Sequence, residues 1–297
     1  MTTIPKDIEK KLKAVVRRIE EAAAFDGVGN DDFNQATSVK TLVDISGMSE
    51  RSLRNWFKIY SGTTVSEYAR DRRVNYAARI FRLFPDTSKS KVSQFIGLNS
   101  SNALYPYMKK AGVEDLDALR SSDNLTDFTL LNFTIECLPD SILFYTMNEV
   151  LYDECSDVEF EEYNWNKINS FITSKIPEAS IIGDVGFAID RYVENKIDEG
   201  LFVAGILCKS ISKSSLSKDL IGDIGWRFIQ SQKYVVFTHI GNYGGLTDFY
   251  NLALQTLRHN EAIQVDKSLL IMEKYINSPV NTSNEELITE IWIPIID

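Results

Sequence analysis

Three cysteines and two histidines are all that the 297 residues hold of the usual soft metal ligands. Cys137, Cys155 and Cys208 are an odd number at wide spacing, and His239 and His259 stand in no ligand spacing with them. A zinc-type or paired redox motif is therefore not expected. The thiols are expected to be reduced and mostly core-filling, because no basic or paired-cysteine context lowers a thiol pKa. No run of about 18 apolar residues occurs, and "MTTIPKDIEKKLK" carries no apolar h-region, so neither a membrane span nor a signal peptide is expected and a cytoplasmic location is the default. Neither histidine has the serine or cysteine company of a nucleophilic triad, and "GNYGG" at 241–245 is a turn rather than a phosphate loop. No cofactor, metal or membrane partner is called for, and no heptad repeat points to a coiled coil.

Positive charge is also short overall, with 32 Lys+Arg against 42 Asp+Glu and a formal net charge of -10. The deficit is uneven. Residues 1–122 hold 20 basic and 15 acidic residues, whereas 123–297 hold 12 and 27. A basic half joined to an acidic one points to a polyanionic partner for the basic half. Length and an ordinary apolar content, 44% of residues, suggest two globular domains, with the boundary near "SSDN" at 121–124.

The first domain reads as helical throughout. Ile8, Leu12, Val15, Ile19 and Ala23 fall at three- and four-residue intervals, which makes one apolar stripe. Thr37 or Ser38 is placed to cap a short helix "VKTLVDIS" that ends at Gly47, and Ser49 to cap the next. A longer segment, "VSEYARDRRVNYAARIFRLF", carries Val74, Ala77, Phe81 and Phe84 on one face and reads as a connecting helix. Tyr60, Tyr68, Tyr105 and Tyr107 fall mostly on apolar helical positions and are expected to pack rather than stack on bases.

Two short helices joined by a tight Gly turn make a helix-turn-helix, whose second helix lies in a major groove. Leu42, Ile45, Leu53, Trp56 and Phe57 are expected on the buried faces. That leaves Glu50, Arg51, Arg54, Asn55 and Lys58 outward, and Arg and Asn are the residues that read guanine and adenine bidentately.

Beyond 124 the period shifts toward two. "FTLLNFTIECL", "SILFYTMNEV", "LFVAGILCKSI", "KYVVFTHIG" and "ELITEIWIPI" read as strands, with helical stretches near 161–175 and 246–259. A strand, helix, strands order that occurs twice predicts an α+β domain of two pseudo-symmetric halves.

"TLVDISGMSERSLRNWFKIYSG" resembles the first helix-turn-helix unit of the AraC/XylS transcription regulators. "VSEYARDRRVNYAARIF" resembles their linker helix, including Tyr68, Arg73 and Ala77, and "VSQFIGLNSSNALYPYMKKAGVEDLDALR" their second unit. The resemblance spans about residues 8–120 and implies base contacts from Arg51, Arg54 and Asn55; the cap Ser49 and the outward Lys58 are further candidate DNA contacts. The second unit departs from the pattern. Pro106 stands where an interior helical residue is expected, so the helix either restarts at Pro106 or is kinked. Weak base readout follows for this half, with Asn99, Ser100, Ser101 and Asn102 able to bond phosphates or an occasional base.

The acidic part resembles the GyrI-like effector-binding domain found behind such DNA-binding domains in Rob-type regulators. The most specific stretch is "IMEKYINSPVNTSNEELITEIWIPI", with its Glu-x-Tyr strand and closing Ile-Pro strand. The resemblance implies an aromatic cleft holding a carboxylate, Glu273, for a hydrophobic or cationic effector. Tyr275, Trp226, Tyr243, Trp165 and Trp292 are the ring candidates, and Glu290 a second acid. The expected function is a one-component transcription regulator, not an enzyme, that binds operator DNA and a small effector, with RNA polymerase a further candidate partner. The rival readings are a GyrI-like hydrolase of lipophilic electrophiles, with Glu273 and a tyrosine activating water, and a protein-binding module behind a vestigial DNA-binding domain.

Overall fold

The computed structural model describes residues 3–29, 31–120, 129–151, 158–191, 196–209, 211, 216 and 223–296. The "SSDN" boundary and Cys155 lie outside these residues. The chain divides into two compact units, the first of residues 1–124 and the second mainly of 125–190 and 196–297. No described helix is long and apolar enough to cross a membrane.

The first unit is helical: α1 (Lys6–Glu21), α2 (Asp31–Ala36), α3 (Val39–Ser46), α4 (Glu50–Ser61), α5 (Val65–Leu83), α6 (Lys89–Phe95) and α7 (Leu104–Lys109). Its helix ends are set by side chains close in sequence. Ser38 accepts from the Thr41 amide to start α3, and Gly47 ends it in a left-handed conformation at φ 59°. Ser49 then accepts from the Ser52 amide to start α4, and Thr64 and Glu67 form a reciprocal capping box for α5. The Thr64 amide, which donates to the Glu67 carboxylate at 2.8 Å, and after it the Thr64 side chain hold the Glu67 carboxyl below its ordinary value.

Leu12, Val15 and Ile19 of α1 pack with Leu42, Met48, Leu53, Phe57 and Val65, which fixes α3 and α4 against one stripe. Ile45, expected inside, is 43% exposed. On the short α3 it falls outside the arc set by buried Leu42 and Ser46. Trp56 is half-buried, packed at the edge of this core.

A charged contact between α1 and α5 is deeply buried. Glu20 of α1 faces Arg72 of α5 at 3.3 Å, with side chains 4% and 3% exposed. The Tyr68 hydroxyl donates to the same Glu20 oxygen, and the Arg72 guanidinium lies 4.6 Å from the Tyr68 ring centre. A second constraint is made by backbone alone. A Cβ on Gly29 would lie 2.1 Å from the Phe95 carbonyl oxygen, and Gly97, at φ 73°, packs back on Gly29. Only glycine permits that approach of the loops before α2 and after α6.

Pro106 neither starts nor kinks its helix. A 3-10 turn, Ser101–Ala103, leads into α7, where Pro106 is the third residue. Amides in the first turn of a helix have no intrahelical acceptor, so proline loses nothing there. α7 is short, with six residues where α4 has 12.

The second unit is an α+β arrangement: β1 (Thr134–Leu138), β2 (Ser141–Leu151), α8 (Val158–Lys175), β3 (Ser180–Arg191), β4 (Lys196–Lys209), β5 (Gly225–Ile229), β6 (Gln232–Ile240), α9 (Leu246–Arg258), β7 (Met272–Tyr275) and β8 (Ile288–Pro294). The strands form one sheet in the order β1-β6-β8-β7-β3-β4-β2-β5. Every pairing with a described register is antiparallel. The twofold pattern expected from the sequence appears with an exchange. Each half contributes three adjacent strands, β3-β4-β2 and β7-β8-β6, while β1 joins the second half and β5 the first. The halves meet at the β3–β7 seam, where Asp184, Val185 and Gly186 pair with Tyr275, Lys274 and Glu273.

Cys208 is buried beneath α8, and burial pushes its thiol up to about 11, well away from reactivity. Cys137 corrects the core-filling expectation, since it is exposed on the edge strand β1.

Arg72→Met is expected to cost about 3 kcal/mol or more in urea unfolding, because it strands a buried carboxylate. A loss below about 1 kcal/mol would show that Glu20 finds another partner.

Candidate functional site

Strand parity decides which side chains meet. On β7, Glu273 and Tyr275 share one sheet face, while Met272 and Lys274 take the other. α9 packs on the Glu273 face, since its Tyr250 hydroxyl donates to Glu273 Oε1 at 3.0 Å. The Tyr275 hydroxyl donates to Oε2 at 2.6 Å. Glu273 is 8% exposed, and among the described residues no cation pairs with it. Burial raises its carboxyl above the ordinary glutamate value, the two tyrosine bonds oppose that rise, and the like charge of Asp190 adds to it. The Tyr275 phenol is pushed up for the same reasons, by burial first and then by the carboxylate beside it.

Rings complete the surroundings. Trp165 of α8 stands edge-on to Tyr275 with centroids 5.5 Å apart, and Tyr243 meets the same ring at 5.8 Å. Phe202 of β4 packs on Trp165 at 6.2 Å. α8 is held in place by Asn164, fully buried, which accepts from Thr146 Oγ1 at 2.8 Å and Asn148 Nδ2 at 2.9 Å. The neighbouring Trp165 then donates its indole N–H to the Gly205 carbonyl at 3.1 Å.

Of the residues expected at the cleft, the structure brings together Glu273, Tyr275, Tyr243 and Trp165. Trp226 lies on the far edge strand, opposite Phe144, in the apolar layer under α8. Trp292 and Glu290 are on the other sheet face. There Trp292 donates to Glu290 at 2.9 Å, and Lys274 lies 3.5 Å from Glu290 and 5.0 Å from the Trp292 ring centre. The alternation of "ITEIWIPI" shows two faces but not which one turns toward Glu273.

Two participants were not anticipated. Tyr250 lies on the α9 stripe of Leu246, Ala253, Leu254 and Leu257, a helical spacing visible in the sequence. Gly186 pairs with Glu273 across the seam. A Cβ there would fall 2.4 Å from the Tyr275 hydroxyl and 2.6 Å from Phe202 Cζ. Its bare Cα is what lets Tyr275 reach Glu273, and a glycine inside a strand pattern is the signal for such close approach.

In the first unit, Arg51, Arg54, Asn55 and Lys58 are all exposed and follow a helical i, i+3, i+4, i+7 spacing, so they share one face of α4. Ser49 is the exposed N-cap. Arg54 is engaged in that face, with Nη2 2.8 Å from Glu50. Ser100, Ser101 and Asn102 are exposed ahead of α7. Among the described residues, no group of three or more His, Cys, Asp or Glu side chains could hold a metal ion.

Glu273 lowers stability above the ordinary glutamate pKa, because its folded-state value is raised and deprotonation there favours the unfolded chain. The melting temperature should therefore fall as pH rises from that ordinary value through the raised one, and Glu273→Gln should flatten this slope. Gly186→Ala is expected to cost about 1 to 3 kcal/mol in chemical unfolding by overpacking against Tyr275 and Phe202.

No curated protein matches the chain by sequence. Among solved structures, the EcmrR C-terminal domain is 17% identical, with 57% of this chain and 99% of that one covered at a TM-score of 0.44. EcmrR in a DNA complex is 15% identical, covering 86% and 98% at 0.42. SAV2435 bound to tetraphenylphosphonium is 16% identical, covering 56% and 94% at 0.36. Likenesses at these scores carry no functional argument. The match to a family model does bear on the site: residues 207–296, which include Tyr243, Tyr250, Glu273 and Tyr275, match the GyrI-like small molecule binding domain.

Proposed function

We propose that the chain is a one-component transcription regulator whose helical unit follows the AraC/XylS double helix-turn-helix pattern and whose sheet unit binds a hydrophobic or cationic effector at Glu273. The observation that carries the effector half is the buried carboxylate, ringed by Tyr275, Tyr243 and Trp165 and lacking a described cationic partner. A lipophilic cation supplies the missing charge and faces aromatic rings as it does so. Both oxygens of Glu273 already accept hydrogen bonds from tyrosine hydroxyls, which holds the carboxylate rather than presenting it to water. That arrangement suits binding better than general-base hydrolysis.

Support for the DNA half comes from charge and exposure. Arg51, Arg54, Asn55 and Lys58 project from one face of α4, in the basic part of the chain. The Arg54–Glu50 pair is exposed on both sides and contributes little, so a guanine can displace it. The 3-10 turn ahead of α7 and its cap present Ser100, Ser101 and Asn102 as phosphate contacts. Effector binding changes transcription if it favours one arrangement of the protein over another.

Anisotropy with DNA from upstream of the coding region, against scrambled DNA across a salt series, tests the DNA half. Arg51→Ala and Arg54→Ala are expected to weaken sequence-preferring binding about tenfold or more, while Glu50→Gln tightens it. Equal affinity for both DNAs would remove operator reading. For the effector half, calorimetry should show tetraphenylphosphonium bound by wild type and at least about tenfold more weakly by Glu273→Gln, since the variant removes the site's charge.

A further inference from the structure

Thr289 is fully buried, and its hydroxyl has no hydrogen-bond partner among the described residues. It lies on β8, paired with His239 of β6 on one side and Tyr275 of β7 on the other. Directly paired residues project to the same face, so Thr289 is on the face of Glu273 and α9. The polar atoms around it are committed elsewhere. The Tyr275 hydroxyl is on Glu273 at 2.6 Å, and His239 Nε2 is 3.2 Å from the Asn242 carbonyl.

A buried hydroxyl without a partner is costly, and valine has nearly the same shape without that cost. The position of Thr289 suggests what the hydroxyl is for. Glu273 lies two residues along β7 from the pairing partner of Thr289, about 7 Å of strand rise. Tyr275 leans toward Glu273 to bond it, away from the Thr289 level, and Tyr243 packs edge-on against the Tyr275 ring.

We propose that Thr289 is a second polar contact of the Glu273 site, selecting aromatic cations that carry a hydrogen-bonding group about one ring's length from the charge. This rests on the reading of Glu273 as the effector's charge partner. The threonine hydroxyl both donates and accepts, so a phenol or a carbonyl on the ligand satisfies it.

The test uses the full chain and two matched probes, tetraphenylphosphonium and (4-hydroxyphenyl)triphenylphosphonium, in calorimetric titrations. Wild type is expected to bind the hydroxylated cation about fivefold more tightly, the worth of one net hydrogen bond. Thr289→Val should abolish that preference by weakening the hydroxylated cation, and melt no lower than wild type. Thr289→Ser, which keeps the hydroxyl, should retain the preference. A wild type that does not discriminate, a preference that survives Thr289→Val, or a lower melting temperature for that variant would each overturn the assignment. Binding of neither probe, or tetraphenylphosphonium binding indifferent to Glu273→Gln, would instead overturn the reading of Glu273 on which it rests.

Discussion

A carboxylate taken out of water and held by two phenol hydroxyls is the constraint around which the sheet unit is arranged. Glu273 can be buried only because Tyr275 and Tyr250 reach it from a strand and a helix. Tyr275 can reach it only because Gly186, across the seam, has no side chain. The helix that brings Trp165 to the Tyr275 ring is in turn pinned to β2 by the buried amide of Asn164. The site thus draws on both halves of the sheet and on both helices that cover its face. A fold seeking stability alone gains nothing from a desolvated charge, since an apolar residue of similar size is cheaper to bury.

The two units differ in how much of them can be read directly from the chain. In the helical unit the decisive information is local. Ser38, Gly47, Ser49 and the Thr64–Glu67 box each act within a few residues, so helix limits follow from spacing and capping chemistry. What escapes is the finer tertiary choice. Ile45 looks apolar and regularly placed, yet packing on α1 selects Leu42 and leaves Ile45 outside. Pro106 looks disruptive until a 3-10 turn shifts the helix start and places it where no amide is needed.

In the sheet unit the decisive information is distant. Strands such as 141–151 and 232–240 are visible as apolar runs, but the sequence pattern of β3 is interrupted by Gly183 and Gly186, although the strand itself is continuous. The aromatic residues of the tail alternate plainly, but parity alone does not say which face meets α9. Tyr275 turns to Glu273 while Trp292, equally aromatic and close in sequence, turns to Glu290 and Lys274. The Glu-x-Tyr context singles out Glu273 and Tyr275, which the structure brings into hydrogen-bond contact. Gly186 and Thr289 were not, because their meaning lies in what stands across from them.

The exchange of β1 and β5 gives the sheet unit a particular order of assembly. β1 must wait for β6, nearly a hundred residues later in the chain, and β5 returns to the half that precedes it. Each half is therefore latched by a strand from the other. Long-range pairings of this kind close late, after the entropy of a large loop has been met. During synthesis the first half remains an open sheet with an unfilled edge until the second is made. The arrangement of Glu273, Tyr275 and Gly186 at the seam is in this sense a product of completion, formed when the chain has closed on itself.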